Sequence, residues 1–382
     1  MSVSVDYLRI FVLNYEFPPV GGGGGRVAQD LCKSLAARGH EVRVQTSWVS
    51  GLPPVEQQEG YTIYRSFVFR RRMDRCTVPE MIMFVLCGLI PAWRHVRRWS
   101  PDLMHVHFAV PTGLVAWIVS LLTGVPYVLT AHLGDVPGAM PGQTDWLFSI
   151  IKPFTVPIWH RAAHVTAVSN YVGGLASRAY GLSVETLHNG IDLTSCPPEP
   201  SSPHAPVRLM FAGRFDPQKN LPFLVDLLAR VQDLAWHANL FGDGPQMEVV
   251  KARIDQYGLA ERITLHGWVR PEQVDLAMAQ SDVLILPSSF EGMSVVSVQA
   301  LGYGLAILGS DIGGLLDVVE SGSNGFRCPV GDMEAFESAL RTLLSDTSRL
   351  EQMKRASRQK AADFDLAKIV SRYEAIFREV AQ

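Results

Sequence analysis

Pro287-Ser-Ser-Phe-Glu-Gly-Met-Ser-Val-Val-Ser-Val-Gln-Ala-Leu-Gly-Tyr-Gly304 is the stretch from which the rest of the chain is read. Immediately before it, Asp282-Val-Leu-Ile-Leu286 is a short apolar run that stops at a proline, the pattern of a buried parallel strand. Phe290-Glu291-Gly292 is a polar turn, and Val295 to Leu301 reads as a helix with Ser294 available to cap it. A helix N-terminus offers unpaired N–H groups and partial positive charge, so it holds phosphate. The backbone of Gly292, Met293, Ser294 and Val295 is the candidate cradle. A carboxylate at Glu291 would repel that phosphate and is better placed to accept hydrogen bonds from neutral hydroxyls, such as those of a sugar. Phosphate and sugar at one turn point to a sugar nucleotide.

A second strand and loop lie upstream. Val207–Ala212 is a strand, followed by Gly213-Arg214-Phe215, then Lys219-Asn220 and a helix over Leu221–Val231. Arginine and lysine five residues apart in a loop at a strand end can converge on two phosphates, one as a planar fork and the other as a point charge. The plain alternative is two surface cations. Ile263–His266 is a further strand, leading to Gly267-Trp268-Val269. Gly242-Asp-Gly-Pro245 is turn chemistry with no ligand assigned. Cys196–Pro206 holds five prolines in eleven residues, cannot pair in a sheet and marks a linker.

At the start of the chain, strand Leu8–Leu13 leads through Pro18-Pro19-Val20 into Gly21–Gly25, then a helix Arg26–Arg38 stopped by Gly39, then strand Glu41–Gln45. This is the first half of a Rossmann-like domain, whose glycines let backbone N–H groups approach a pyrophosphate. A nicotinamide dinucleotide is one alternative, and two features oppose it. The G-x-G-x-x-G spacing needs glycine where Arg26 stands, and Gln45-Thr-Ser47 carries no acid for a ribose hydroxyl. Phe108–Leu122 is apolar but broken by Pro111 and Gly113, and it falls short of the roughly 20 residues a membrane span needs. It reads as a crossover helix between strands Asp102–His107 and Pro126–Thr130. Thr130-Ala-His-Leu-Gly-Asp135 stands at a strand end, where α/β sheets bind ligands, which puts His132 forward. A lone histidine is nevertheless more often structural.

Arg70-Arg71-Arg72 and Arg75 precede the apolar run Met81–Ile90, and Arg94, Arg97 and Arg98 follow it. The run is either a core helix with solvated flanks or a helix lying in a membrane interface, its arginines on anionic headgroups.

With 382 residues the chain exceeds what one core usually serves. A net charge of −3 gives no argument for nucleic acid. The five cysteines are scattered without paired spacing, which fits a reducing cytoplasm and gives no metal site. The N-terminus lacks a basic-then-apolar secretory pattern.

Pro287–Gly304 resembles the signature of family 4 glycosyltransferases, two glutamates with seven residues between them in a context like E-G-F-G-x-x-x-x-E-A. Glu291 is the first, and Gln299 stands at the second. The match continues through Gly313-Gly314, Asp317 (usually Glu), Gly325-Phe326 and Pro329. Upstream, Gly213-Arg214 with Lys219-Asn220 resembles G-R-x-x-x-x-K-[GN]. Leu187-His-Asn-Gly-Ile-Asp192 resembles P-N-G-V-D, and Thr130–Asp135 resembles T-x-H-x-x-D. The resemblance covers nearly the whole chain and is weakest over residues 50–100.

The resemblance implies the α/β GT-B fold, two Rossmann-like domains facing across a cleft. Residues 1–196 would bind the acceptor, with the C-terminal helix 364–382 packed back on them, and residues 206–363 would bind the nucleotide sugar. It implies a retaining transferase that moves a sugar from a UDP- or GDP-sugar to an acceptor hydroxyl in polysaccharide, lipopolysaccharide or glycolipid synthesis. No metal and no cofactor beyond the nucleotide-sugar co-substrate is expected. Arg214 and Lys219 would stabilise the leaving diphosphate, Glu291 would orient the donor sugar, and His132 would hydrogen-bond it. Gly22 and Gly23 would face the donor phosphates, Val269 the base and Gln299 the ribose. The expected partners are the donor, a glycan or lipid-linked acceptor and a peripheral membrane contact at the inner face, with no nucleic acid. Two alternatives remain: a non-catalytic or weakly active nucleotide-sugar-binding subunit, motivated by Gln299 and Asp317, and a sugar-nucleotide epimerase.

Overall fold

The computed structural model describes residues 7–73, 75–139 and 145–382. It divides into two compact units, the first made of the chain up to Asn189 with Leu366–Gln382, the second of Gly190–Asp365.

The first unit runs β1 (Arg9–Leu13), α1 (Gly23–Ala37), β2 (Glu41–Val49), β3 (Val55–Gln58), β4 (Tyr61–Arg70), α2 (Val78–Trp99), β5 (Leu103–His107), α3 (Leu114–Thr123), β6 (Tyr127–Ala131), α4 (Asp145–Arg161), β7 (His164–Ala167), α5 (Asn170–Tyr180) and β8 (Glu185–Thr186). Its sheet has the order β3-β4-β2-β1-β5-β6-β7-β8, parallel except for β3. The central strands are covered on both faces, which is why they are continuously apolar rather than alternating. Ile10, Val12, Val42, Val44 and Ile63 form a core with Ala28, Leu31 and Leu35 of α1. On the other face Gln45 donates from Nε2 to the Gly88 carbonyl of α2 at 2.8 Å.

Helix α1 begins at Gly23, three residues before the expected start at Arg26. Its glycines serve close packing: a Cβ on Gly24 would stand 2.7 Å from the Phe108 ring, and one on Gly25 would stand 2.6 Å from the Glu16 carbonyl oxygen. Helix α2 is likewise longer than the apolar run that announced it. Thr77 N donates to Glu80 Oε2 at 2.7 Å, a capping box that fixes its first turn. Phe84, Gly88, Ala92 and Val96 face inward, while Val78, Ile82, Leu86, Ile90 and Trp93 are exposed on the opposite side. No helix among the described residues is long and apolar enough to cross a membrane.

The second unit runs β9 (Val207–Ala212), α6 (Leu221–Arg230), β10 (Trp236–Phe241), α7 (Met247–Gln256), β11 (Ile263–Gly267), α8 (Pro271–Ala279), β12 (Val283–Leu286), α9 (Val295–Tyr303), β13 (Ala306–Ser310), α10 (Gly313–Leu316), β14 (Gly325–Cys328), α11 (Met333–Ser345) and α12 (Thr347–Lys360). Its sheet is wholly parallel, in the order β11-β10-β9-β12-β13-β14. Counted from β9, this is the doubly wound order 3-2-1-4-5-6, whose direction reverses between β9 and β12. A last helix, α13 (Leu366–Val380), belongs to the first unit, where Val370, Tyr373, Ile376 and Phe377 join its core.

The proline-rich segment is not a free linker: residues 190–206 belong to the second unit. His204 N donates to Asp282 Oδ2 at 3.1 Å, and Ser201 Oγ accepts from Lys354 Nζ at 3.1 Å. Prolines barred this segment from the sheet, and side chains tie it down instead.

Candidate active site

In the second unit the site is built at the reversal between β9 and β12, where neighbouring crossovers leave in opposite directions and open a crevice at the strand ends. The loop after β9 carries Arg214 and Lys219; the turn after β12 carries Glu291. Gln218 and the Ser289–Phe290 backbone clamp the two loops together. Ser289 N donates to the Gln218 carbonyl at 2.8 Å, and Gln218 Nε2 donates to the Phe290 carbonyl at 2.7 Å. The clamp brings Lys219 Nζ onto Glu291 Oε1, a pair 72 residues apart in sequence whose side chains are 18% and 9% exposed. Gly314 sits against the same turn, where a Cβ would stand 2.6 Å from the Glu291 carbonyl carbon.

Arg214 is not brought to the same carboxylate. Its Nε lies 3.2 Å from Asp216 Oδ2, and its side chain is 46% exposed. Gly292, Met293 and Ser294 are buried at the start of α9, and Val295 is half-buried. The Ser294 side chain makes no capping hydrogen bond, contrary to the expectation. Val269 follows the edge strand β11, two strands from β9. Gln299 Nε2 donates to Asp275 Oδ1 of α8 at 3.4 Å, a partner that nothing in the sequence announced.

In the first unit, His132 follows β6 and is 7% exposed. Its ring stacks on Phe108, with centroids 4.2 Å apart, and its Nε2 lies 3.3 Å from His107 Nδ1. Burial drives His132 down to about 3, so the imidazole is neutral at ordinary pH. Asp135 is a positioning residue. Its Oδ2 accepts from His132 N and its Oδ1 from Ala109 N, both at 2.8 Å, which joins the loops after β5 and β6. Burial pushes its carboxyl up to about 7 against these bonds. Gly22 and Gly23 are exposed at the start of α1. The Gly22 N–H already donates to Glu16 Oε2 at 3.3 Å, so a carboxylate stands at that end of the helix.

Asp363 and Asp365 have a spacing seen in divalent-metal sites, but Asp363 lies on the turn after α12 and pairs with Lys360 at 4.0 Å. Among the described residues no three His, Cys, Asp or Glu are grouped to hold a metal ion. His107, Gln218 and Asp275 were missed by sequence reasoning. Only His107 carried a signal, its place at the C-terminal end of a strand.

Residues 21–195 match the family described as Glycosyltransferase Family 4, and residues 197–360 match the one described as Glycosyl transferases group 1. The glycogen synthase of Mycobacterium tuberculosis is 26% identical over 386 residues, covering 94% of this chain and 91% of that protein. The N-acetyl-alpha-D-glucosaminyl L-malate synthase of Bacillus anthracis is 26% identical over 379 residues, covering 95% of each. Among solved structures, the sucrose-phosphate synthase from Thermosynechococcus elongatus superposes with a TM-score of 0.84 at 20% identity, covering 98% of this chain and 99% of that one.

Proposed function

The chain belongs to family 4 of the glycosyltransferases, retaining nucleotide-sugar enzymes of the GT-B fold, and from that premise we propose how its own residues carry the transfer. The nucleotide-sugar diphosphate sits at the start of α9, against the backbone of Gly292, Met293, Ser294 and Val295, with Lys219 and Arg214 as its cations. Glu291 orients the donor sugar. In the first unit His132, held neutral, is the candidate for hydrogen-bonding a sugar without adding charge. The bond from the acceptor oxygen to the anomeric carbon forms on the face from which the diphosphate oxygen leaves, and the departing phosphate takes the acceptor's proton. Lys219 and Arg214 do the work that a divalent cation does elsewhere, so the proposal needs no metal. The observation that carries this reading is the Lys219–Glu291 pair at the sheet reversal: it neutralises the carboxylate that would otherwise repel the diphosphate. A thermal-shift screen of UDP-, GDP- and ADP-sugars tests it. The true donor raises the melting temperature by mass action, and Lys219→Ala abolishes most of that rise. A shift insensitive to Lys219 would refute it.

Gln299 belongs to the same reading as the ribose contact. Its amide donates to Asp275, so a glutamate here would set two carboxylates within hydrogen-bond distance. Gln299→Glu is expected to weaken nucleoside diphosphate binding by about tenfold, the size of one lost hydrogen bond, in titration calorimetry. Tighter binding would show that the family's glutamate contact is available here after all, and unchanged binding would remove Gln299 from the nucleotide site.

The acceptor side of the proposal is a lipid-linked or membrane-borne glycan. Supporting it is the exposed stripe Val78, Ile82, Leu86, Ile90 and Trp93 of α2; Leu121 and Leu122 of α3, which packs against α2, and Phe154 of α4 are exposed as well. Exposed Arg71, Arg72, Arg94, Arg97 and Arg98 flank that stripe. Arg70 drops out of the basic set: its guanidinium is buried, donating to the carbonyls of Tyr15 and Arg72. Each cation near an anionic surface contributes about 1 kcal/mol, so the protein should float with anionic vesicles at low salt and release at high salt. Leu86→Glu should abolish flotation. Absence of binding to anionic vesicles at low salt would refute the membrane contact.

A further inference from the structure

We infer that His107, which the proposed mechanism does not use, is a positioning residue that fixes the tautomer of His132, so that His132 carries its proton on Nδ1. The two rings meet at the ends of adjacent strands, β5 and β6, with His107 Nδ1 3.3 Å from His132 Nε2. His107 is 1% exposed and His132 is 7% exposed. Burial pushes both imidazoles well below their ordinary range, so each is neutral, with one N–H and one bare nitrogen. Across the shared contact one nitrogen donates and the other accepts, because two N–H groups or two lone pairs would repel.

The far nitrogen of His107 decides which. Its Nε2 is buried with no hydrogen-bond partner among the described residues. If His132 donated, His107 would carry its own proton on that Nε2, a buried N–H with nothing to receive it. Orphaned buried N–H groups are rarer than under-satisfied acceptors. With the proton on Nδ1, His107 donates to His132 Nε2 and leaves only a bare lone pair in the interior. Its neighbour on the same strand, His105, does not supply the missing partner, since His105 Nε2 is engaged with Thr130 Oγ1 at 2.8 Å.

Nε2 of His132 is thereby committed as an acceptor, and Nδ1–H is left as the ring's only donor. The ring plane is set independently by the Phe108 stack, and Gly24 gives the ring room: a Cβ there would stand 3.4 Å from His132 Cε1, the carbon between the two ring nitrogens. The consequence for transfer rests on the proposed sugar contact of His132; the tautomer itself does not. Fixed this way, His132 offers a hydrogen-bond donor to a sugar oxygen without reorganising, and a ring free to change tautomer would lose that preorganisation.

Long-range proton–nitrogen correlation spectra of the full chain with ¹⁵N-labelled histidine read the tautomer directly, with His132→Gln assigning the signals. The expected result is a bare-nitrogen signal for His132 Nε2 and an N–H signal for Nδ1. His107→Asn keeps an N–H near the position of Nδ1 and should preserve that pattern and most of kcat/KM. His107→Phe should release the tautomer and lower kcat/KM about tenfold with nucleoside diphosphate affinity unchanged. A protonated His132 Nε2 in the native chain overturns the inference, whether or not the variants fold. An Nδ1–H signal together with full activity in His132→Gln would leave the tautomer standing and remove His132 from the sugar site instead.

Discussion

Lys219→Ala is expected to turn over its donor roughly 10²–10³-fold more slowly than the native chain while keeping its fold, the scale of removing one preorganised donor from a developing charge. The negative charge on the leaving diphosphate grows as the sugar–oxygen bond breaks. An ammonium held at that oxygen therefore stabilises the transition state more than the ground state, and its loss falls on kcat rather than on KM alone. The structure adds a second cost. Lys219 Nζ is paired with Glu291, whose side chain is only 9% exposed, so the alanine leaves that carboxylate without its cation beside a diphosphate. Glu291→Gln in the Lys219→Ala background should therefore recover donor affinity but not kcat. Lys219→Arg keeps the charge but not its compact shape, and should fall between the two. Steady-state rates under saturating donor decide it, and a Lys219→Ala enzyme with near-native kcat would remove the residue from the chemistry.

Asp282→Ala is expected to destabilise the second unit by about 3–5 kcal/mol, the cost of stranding a buried partner charge. Lys354 Nζ, 0% exposed, lies 2.6 Å from Asp282 Oδ1, which is also 0% exposed. The same carboxylate accepts from His204 N at 3.1 Å and from Arg208 N at 2.9 Å. One aspartate thus ties together the proline-rich segment, the start of β9 and α12, directly below β12 and the turn it delivers. Burial alone would raise the Asp282 carboxyl. The Arg208 backbone bond, Lys354 and His204 outweigh it and hold the group below its ordinary value. The stabilisation is therefore present above the unfolded-state carboxylate value and is lost as pH falls through the lower, folded value. Lys354→Met should cost less, because the aspartate keeps its other donors. Urea unfolding of the second unit measures both. A change within about 1 kcal/mol, the range of an exposed pair, would mean that the carboxylate is hydrated rather than buried.

Much of the fold was legible because strands and turns are local signals. Asp282–Leu286 ending at Pro287 gave a strand, Glu291-Gly292 a turn, and Val295 onward a helix, and β12 and α9 stand there. What local pattern could not carry was pairing across the sheet. Lys219 and Glu291 meet only because β9 and β12 are neighbours, and the intervening residues hold two strands that lie on the far side of β9. Asp275 escaped notice for the same reason, since its contact with Gln299 depends on α8 packing against α9. Gly23–Gly25 was read as a loop because glycine is a poor helix former, yet the helix takes it in where Phe108 and Glu16 leave no room for a side chain. Arg70 was counted among surface cations on composition alone, whereas the carbonyls of Tyr15 and Arg72 hold it in the interior.

The central claim is that this chain transfers sugar with retention, using its own cations at the β9–β12 reversal. The most direct test is to follow the anomeric proton of the donor by NMR in the presence of a chelator, with the donor that the thermal-shift screen selects. The account predicts release of nucleoside diphosphate with the sugar first appearing in the donor's own anomeric configuration, undiminished by the chelator and suppressed in Lys219→Ala. A first-formed sugar of inverted configuration, or release that is indifferent to Lys219, would contradict it.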